Sequence, residues 1–403
     1  MNNTTTNRVN SIDGIRGFSL FGILLANLLI FQYGLWGKDE IEFFSLSSVD
    51  QVMYGVIKIA IEGSFMPIFT FLFGYSLIMM KESLERRKLK VKRHVARRAL
   101  FLIAIGIVHS TFLWEGDILF FYGLMSFFLL LFLKRKKTTI LVWGLVLFGI
   151  MQFFVILGSF VEVDGAEEDV IDPETLMPYI ERSIDIYESG TYSEIMNFRN
   201  NEVPIEEDGL VLLAMVLVAP IFSAPMFLFG MYAAKVKLFL NPKKEKKRYL
   251  FGSILLIPVG LFLQTTYFFF PEVNWTQISI SMGGTLLSLG YISLFALLYT
   301  KASTVTFIKI FENVGKLSMT NYLLQTVICT TIFYGYGLGL FGQLGVTWGI
   351  LLGIAVFGFQ VLCSTLYLKY FRSGPFEKMS RIWTYLTFSG RAKVKYRKEK
   401  AAA

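Results

Sequence analysis

Residues 97–137 read "RRALFLIAIGIVHSTFLWEGDILFFYGLMSFFLLLFLKRKK". Two apolar runs, 97–114 and 117–133, meet at a short polar turn and are flanked on their far sides by Arg and Lys. Each run approaches the ~20 residues an α-helix needs to cross the hydrocarbon core of a bilayer. Such a hairpin puts both basic flanks on one side of a membrane and the turn on the other. Around the turn sit His109, one of only 2 histidines in the chain, then Trp114, Glu115 and Asp117.

The pattern extends outward in both directions. The chain has 403 residues, of which 54% are hydrophobic and only 17% charged, against roughly 25% charged in a soluble domain. Apolar stretches at 14–34, 55–80, 97–114, 117–133, 138–159, 209–233, 249–270, 278–300, 317–337 and 344–368 predict about ten spans. The expected fold is all-α, a polytopic helical bundle forming one integral membrane domain over 1–403. No small-residue cleavage site follows the first run, which reads as a retained signal anchor. Cys329 and Cys363 fall inside apolar runs and suggest neither a disulfide nor a metal site.

The connecting segments alternate in charge. "KESLERRKLKVKRHVARR" (81–98), "KRKK" (134–137), "KVKLFLNPKKEKKR" (235–248) and the tail 369–403 are basic. "WGKDEIEFFSLSSVD" (36–50) is acidic, and 160–208 carries 15 Asp and Glu against Arg182 and Arg199. The positive-inside rule then places both termini in the cytoplasm and 160–208 outside. The net charge of +9 is explained by topology and by anionic lipid, not by nucleic acid. Within the acidic segment, "PETLMPYIERSIDIYESG" (173–190) spaces Leu176, Ile180, Ile184 and Tyr187 for a short amphipathic helix on the outer surface, ended by Gly190.

A charged side chain inside a span costs about 2.5–3.5 kcal/mol on insertion scales, so those present are candidate functional groups. Asn27 lies two-thirds of the way along the first span. Lys58 and Glu62, four residues apart, share one face of the second. At ~1.5 Å per residue, Asn27, Glu62 and His109 lie roughly 7–10 Å below the outer interface. That predicts an outward-opening polar chamber lined by Asn27, Glu62, His109 and Asp117. Structural readings stand beside this one. Lys58 neutralises Glu62; Asp117, following Gly116, caps the next span; Trp114 joins an interfacial aromatic belt; a buried histidine is an interhelical hydrogen bond. His94, in a basic run, reads as solvated. A second polar cluster belongs to the inner side: Asp13 and Arg16 in "SIDGIRGFS", and Lys316, Thr320, Asn321 and Gln325 in "ENVGKLSMTNYLLQT" (312–326). It reads either as helix capping and packing or as an inner mouth for a soluble anionic ligand.

Five blocks carry a family resemblance: "RVNSIDGIRGFSLFGILLANLLIF", "FMPIFTFLFGYSL", "RRALFLIAIGIVHSTFLWEGDILFFYG", "NVGKLSMTNYLLQT" and "YFRSGPFEKMSRIWTY". In this order they resemble the YeiB-like family of bacterial membrane proteins, domain of unknown function family 418. That family is distantly similar to transmembrane acyltransferases typified by heparan-α-glucosaminide N-acetyltransferase, which use cytosolic acetyl-CoA to acetylate a sugar amine across a membrane. The resemblance implies a bacterial plasma-membrane acyltransferase with acyl-CoA, in the form of acetyl-CoA, for co-substrate and no metal. Asn27 matches an active-site Asn of the wider group. Its histidine, placed there in the first outward loop, has no counterpart in 35–54, so His109 takes that role.

The expected mechanism follows. Acyl-CoA docks from the cytosol against Asp13, Arg16, Lys316, Asn321, Gln325 and the basic loop 81–98, and its thioester reaches the chamber. His109 acts as general base, oriented by Asp117 or Glu62, while Asn27 and Trp114 bind an extracytoplasmic sugar or lipid-linked acceptor. Two rival readings stand: a proton-coupled transporter, whose relay would use the same polar residues and whose span with Pro220 and Pro225 would be broken, and a membrane sensor. A homo-oligomer is left open.

Overall fold

A computed structural model describes residues 9–160, 173–204, 209–270, 273, 275–302 and 306–392. Parts of the acidic segment (161–172 and 205–208) and of the basic tail (393–403) therefore lie outside the described residues. Among those described, the long elements are helices, and the apolar runs supply them. In chain order they are α1 (Asn10–Tyr33), α2 (Ser48–Ala60), α3 (Phe65–Arg86), α4 (Val91–Phe112), α5 (Leu119–Leu129), α6 (Lys137–Phe160), α7 (Pro173–Ser189) and α8 (Tyr192–Asn201). After them come α9 (Gly209–Lys235), α10 (Lys246–Phe269), α11 (Thr276–Ala302), α12 (Thr306–Lys316), α13 (Ser318–Phe333), α14 (Val346–Tyr370) and α15 (Pro375–Tyr385).

Among the described residues, eight stretches are long and apolar enough to cross a membrane, and the protein is a multi-pass membrane protein. Two expected spans are shorter: α5 has 11 residues and α13 has 16. The run 55–80 is also two helices, because a turn over 61–64 with Gly63 at φ +71° separates α2 from α3. By contrast Pro220 and Pro225 both lie inside α9, which continues through them.

The packing follows hydrophobicity in an environment where lipid replaces water. Helix α1 is the hub, touching α3, α11, α12, α13 and α14. Around it, α3 packs on α9, α4 on α5, and α10 on α11. The outer helices α6, α10 and α14 expose apolar side chains such as Phe153, Phe262 and Leu362, the surface expected to face acyl chains rather than water.

Polar loops collect at two ends. At the acidic end, the Gly342 amide donates to the Gln32 carbonyl (2.7 Å), the Tyr33 hydroxyl to the Leu344 carbonyl (2.9 Å), and the Thr347 amide to Asp50 (2.8 Å), which thereby caps α14. Helix α7 lies at this end, and Gly190 closes it, its amide donating a hydrogen bond to the Ile186 carbonyl (2.9 Å). Its apolar face does not lie on lipid: Tyr187 stacks on Phe341 and meets Phe198 of α8. At the basic end, α15 crosses the bundle and Glu377 caps α13, accepting from the amides of Met319 (2.8 Å) and Thr320 (3.2 Å). His94 is buried there, its Nδ1 donating to the Lys90 carbonyl (2.7 Å), where a solvated ring was expected.

Candidate active site

Helix α4 ends at Phe112, and the chain reverses through 113–118 into α5. The amides of Leu113 and Trp114 both donate to the His109 carbonyl at 2.9 Å, winding the last turn tight. Asp117 then faces back towards α4. Its Oδ1 accepts from the Phe120 amide (2.8 Å), satisfying one of the orphan donors at the start of α5. Its Oδ2 lies 2.8 Å from His109 Nδ1. One carboxylate is thus both helix cap and histidine partner. Gly106 permits the approach, since a side chain there would collide with the Phe120 backbone and with Asp117.

The other imidazole nitrogen is also engaged. His109 Nε2 lies 3.0 Å from Thr326 Oγ1 on α13. With the carboxylate on Nδ1, that nitrogen carries the proton and donates it to Asp117. Nε2 is then the lone-pair nitrogen, and the Thr326 hydroxyl donates to it. His109 and Thr326 are each 1% exposed. Tyr322, one turn before Thr326, sets its ring 5.4 Å from the imidazole. Its hydroxyl donates to the Gly116 carbonyl (3.1 Å) and accepts from the Ile118 amide (3.3 Å), fixing the turn.

Two cavities flank this array. The larger, about 310 Å³, reaches from α15 at the basic end to Ile118 and Tyr322. Arg16, Arg98, Lys316 and Arg381 line it, together with Phe69, Phe73, Leu102 and Tyr122. The Arg98 guanidinium lies 5.2 Å over the Phe73 ring, and Arg16 binds Asp13 (3.0 Å) and Ser76 (2.8 Å). The smaller, about 110 Å³, lies at the acidic end among Trp36, Glu115, Tyr179, Tyr187, Arg199 and Glu202. There Arg199 donates to the carbonyls of Leu113 (2.9 Å) and Thr111 (2.8 Å), at the end of the helix that carries His109. Glu115 lies 3.7 Å from Arg199 and accepts from the Tyr187 hydroxyl (3.3 Å). Burial raises the Glu115 carboxyl pKa, against the lowering pull of Arg199.

The expected chamber does not assemble as drawn from the sequence. Glu62 lies in the turn between α2 and α3, not on a helix, and is held by Lys58 (2.6 Å) and Lys38 (2.8 Å) in an ionic cluster with Asp39. Asp117, not Glu62, therefore orients the imidazole. Asn27 is half-buried on α1 and makes no side-chain hydrogen bond among the described residues. Trp114 is 1% exposed and stacked on Phe31 at 4.3 Å, so its ring is covered and offers no platform. Of the five inner candidates, Arg16 and Lys316 line the large cavity, while Asp13 is Arg16's ion-pair partner.

Asn321 and Gln325 sit about 100° round α13 from Tyr322 and Thr326. Asn321 donates to Ser364 (3.0 Å) and the Val314 carbonyl (3.1 Å), and Gln325 to Gln360 (3.0 Å). They join α13 to its neighbours and do not line the cavity. The basic run 81–98, expected to meet the donor's phosphates, supplies Arg98 to the cavity; Thr326, Tyr322, Arg381, Glu115 and Arg199 were given no role from sequence. Tyr322 and Thr326 had a usable signal, their own four-residue spacing on the face next to that of Asn321 and Gln325.

Fold and site together define a multi-pass helical membrane protein with a buried Asp–His–Thr array between a basic and an acidic cavity. The chain belongs to the YeiB-like family described as "Protein of unknown function (DUF418)", whose profile matches residues 233–387. It is 33% identical to the uncharacterized protein YxaH of Bacillus subtilis, over 96% of this chain and 97% of that one. It is 27% identical to the uncharacterized protein YeiB of Escherichia coli, over 94% and 95%. An uncharacterized 39.9 kDa protein from the amylase 3′ region of Bacillus acidopullulyticus is 24% identical over 94% of each chain.

Proposed function

We propose that the protein transfers an acyl group from acyl-CoA, held in the basic cavity, to a hydroxyl- or amine-bearing acceptor on the acidic side. The observation that carries this reading is the imidazole of His109, with a carboxylate on Nδ1 and a hydroxyl on Nε2. That order of groups suits a general base that takes a proton from an alcohol while the carboxylate stabilises the imidazolium. The setting supports it. Four cations line a cavity with an aromatic interior, chemistry suited to an anionic donor with an apolar reactive end. The distant likeness to transmembrane acyltransferases names acyl-CoA as that donor and a sugar or lipid-linked sugar as acceptor. On this reading the basic end faces the cytosol, the termini are cytoplasmic and the membrane is the bacterial plasma membrane.

The test is CoA release from acetyl-CoA by purified protein in detergent, with no ion gradient, for the wild type and His109→Gln. Gln keeps the size and hydrogen-bonding ability of the position but takes no proton at neutral pH. The expected result is a rate lower by ~10²–10⁴-fold at an unchanged melting temperature. Release that persists in a folded Gln variant would sink the general-base role. No release by the wild type, with gradient-driven solute flux in vesicles, would replace the enzyme by the proton-coupled transporter.

A further inference from the structure

We infer that Thr326 is the nucleophile of this reaction and carries the acyl group as an oxygen ester midway through the protein, so that transfer proceeds by double displacement. The inference rests on the acyl-transfer reading above and adds to it a residue and an order of steps.

Three observations carry it. The first is where the hydroxyl proton goes. Buried threonines in helices usually return it to a carbonyl one turn back. Thr70 and Thr285 do so here, to Met66 and Ser281. Thr326 Oγ1 instead lies 3.0 Å from His109 Nε2 and makes no bond to a carbonyl among the described residues. The second is the partner. Asp117 holds Nδ1, so the nitrogen facing Thr326 is a base, and an alcohol on such a base is an activated nucleophile. The third is position. Thr326 lies eight residues beyond Ser318, which lines the basic cavity, and seven before Phe333 at the acidic end of α13. At ~1.5 Å per residue that is roughly 12 Å from one end and 10 Å from the other. A group handed from one side of the bundle to the other has to pass this level. A hydroxyl fixed there divides the path into two short transfers.

The steps balance. In the first, Thr326 Oγ1 attacks the thioester carbonyl, His109 takes the hydroxyl proton, the carbon–sulfur bond breaks, and His109 returns the proton to the departing thiolate as CoA–SH. In the second, an acceptor hydroxyl or amine gives its proton to His109 and attacks the Thr326 ester. The acyl–oxygen bond breaks and the proton returns to Thr326. The Tyr322 ring stands between the array and the floor of the basic cavity, so the first step requires that ring to swing aside.

Double displacement has a signature that needs no acceptor: the acyl-enzyme reverts with any CoA present. Purified full-length protein is incubated with acetyl-CoA and isotopically labelled CoA, and label entering acetyl-CoA is followed. Acid-quenched protein is mapped by mass spectrometry for an acetyl group on Thr326. The wild type exchanges label and carries the adduct. Thr326→Val, equal in shape and lacking the hydroxyl, loses exchange by ~100-fold or more, whereas Thr326→Ser retains it. Wild-type protein that releases CoA but neither exchanges label nor carries the adduct overturns Thr326 as nucleophile and leaves acyl transfer standing as a direct displacement. Exchange retained in Thr326→Val does the same. Should the Val variant fail to fold, the wild-type adduct site and the Ser variant still decide the matter. Wild-type protein that releases no CoA at all removes the acyl-transfer reading, and the inference with it.

Discussion

At the scale of the residue, Asp117 separates structure from chemistry, because its two oxygens have different tasks. Oδ1 caps α5 and Oδ2 holds His109. Asp117→Asn can keep the cap through its carbonyl oxygen, which turns its amide nitrogen towards His109. That nitrogen donates where the carboxylate accepted, so the imidazole proton shifts to Nε2 and the base is lost. Turnover is expected to fall ~10²–10⁴-fold with a nearly unchanged melting temperature. Asp117→Ala loses the cap as well and costs a further ~1 kcal/mol of stability. The assay is CoA release alongside thermal unfolding. An Asn variant with near-normal turnover would reduce the pair to a helix joint. The pairing was legible in the sequence because only a tight turn separates the two residues. Thr326 was not, since it lies 217 positions from His109 and a threonine in an apolar span resembles any other.

At the scale of the element, the bundle closes where backbone meets backbone. Helices α3 and α9 cross at Gly74 and Gly230, where a side chain on either would run into the carbonyl of Phe227 or Phe71. Lipid offers no hydrophobic force between helices, so close packing of this kind holds them together. Gly230→Val should therefore destabilise by about 3 kcal/mol and lower the melting temperature in detergent. Gly149, on the lipid-facing α6, has open space around it. Gly149→Ala should be neutral or stabilising by up to ~1 kcal/mol. Equal effects at both positions would show that the α3–α9 crossing does not limit stability. Hydropathy revealed these helices but not their joints. The turn at 61–64 hid because Ile61 and Phe65 keep the window apolar around Glu62 and Gly63. Asn321 and Gln325 were correctly seen as sharing a face, but sequence gives no means of telling whether that face meets a cavity or another helix.

At the scale of the whole molecule, the acidic lobe of α7 and α8 is bolted to the bundle through Arg199 and Glu115. Glu115 holds its proton more tightly in the folded protein than an exposed carboxyl does. The native state therefore binds more protons at this site than the unfolded chain. The stability linked to it is full below the ordinary carboxyl range and is lost as pH rises through the raised value. Glu115→Gln removes that titration. Melting temperatures measured from pH 4 to 8 should fall less with rising pH in the variant than in the wild type. Parallel curves would assign the buried charge no energetic role. The broad plan of this molecule was legible from hydropathy and from the alternation of basic and acidic loops. The docking of α7 and α8 was not, because it rests on aromatic contacts and on Arg199 reaching carbonyls 86 and 88 positions earlier.

Helices α5 and α13 have 11 and 16 residues, roughly 16 and 24 Å in length, against a hydrocarbon core of about 30 Å. Short helices draw the bilayer thinner around them, so beside α5, which follows Asp117, and α13, which carries Thr326, a cell's voltage is expected to drop most steeply. A potential of 100 mV is worth ~2.3 kcal/mol for a unit charge carried fully across. On the proposed reaction, the imidazolium formed when His109 takes a proton stands partway through that drop. Energising the membrane should then change turnover by about 1 kcal/mol, a ~5-fold effect on rate. Proteoliposomes given a potassium diffusion potential would show it, and a rate indifferent to voltage would mean that the charge never forms within the field.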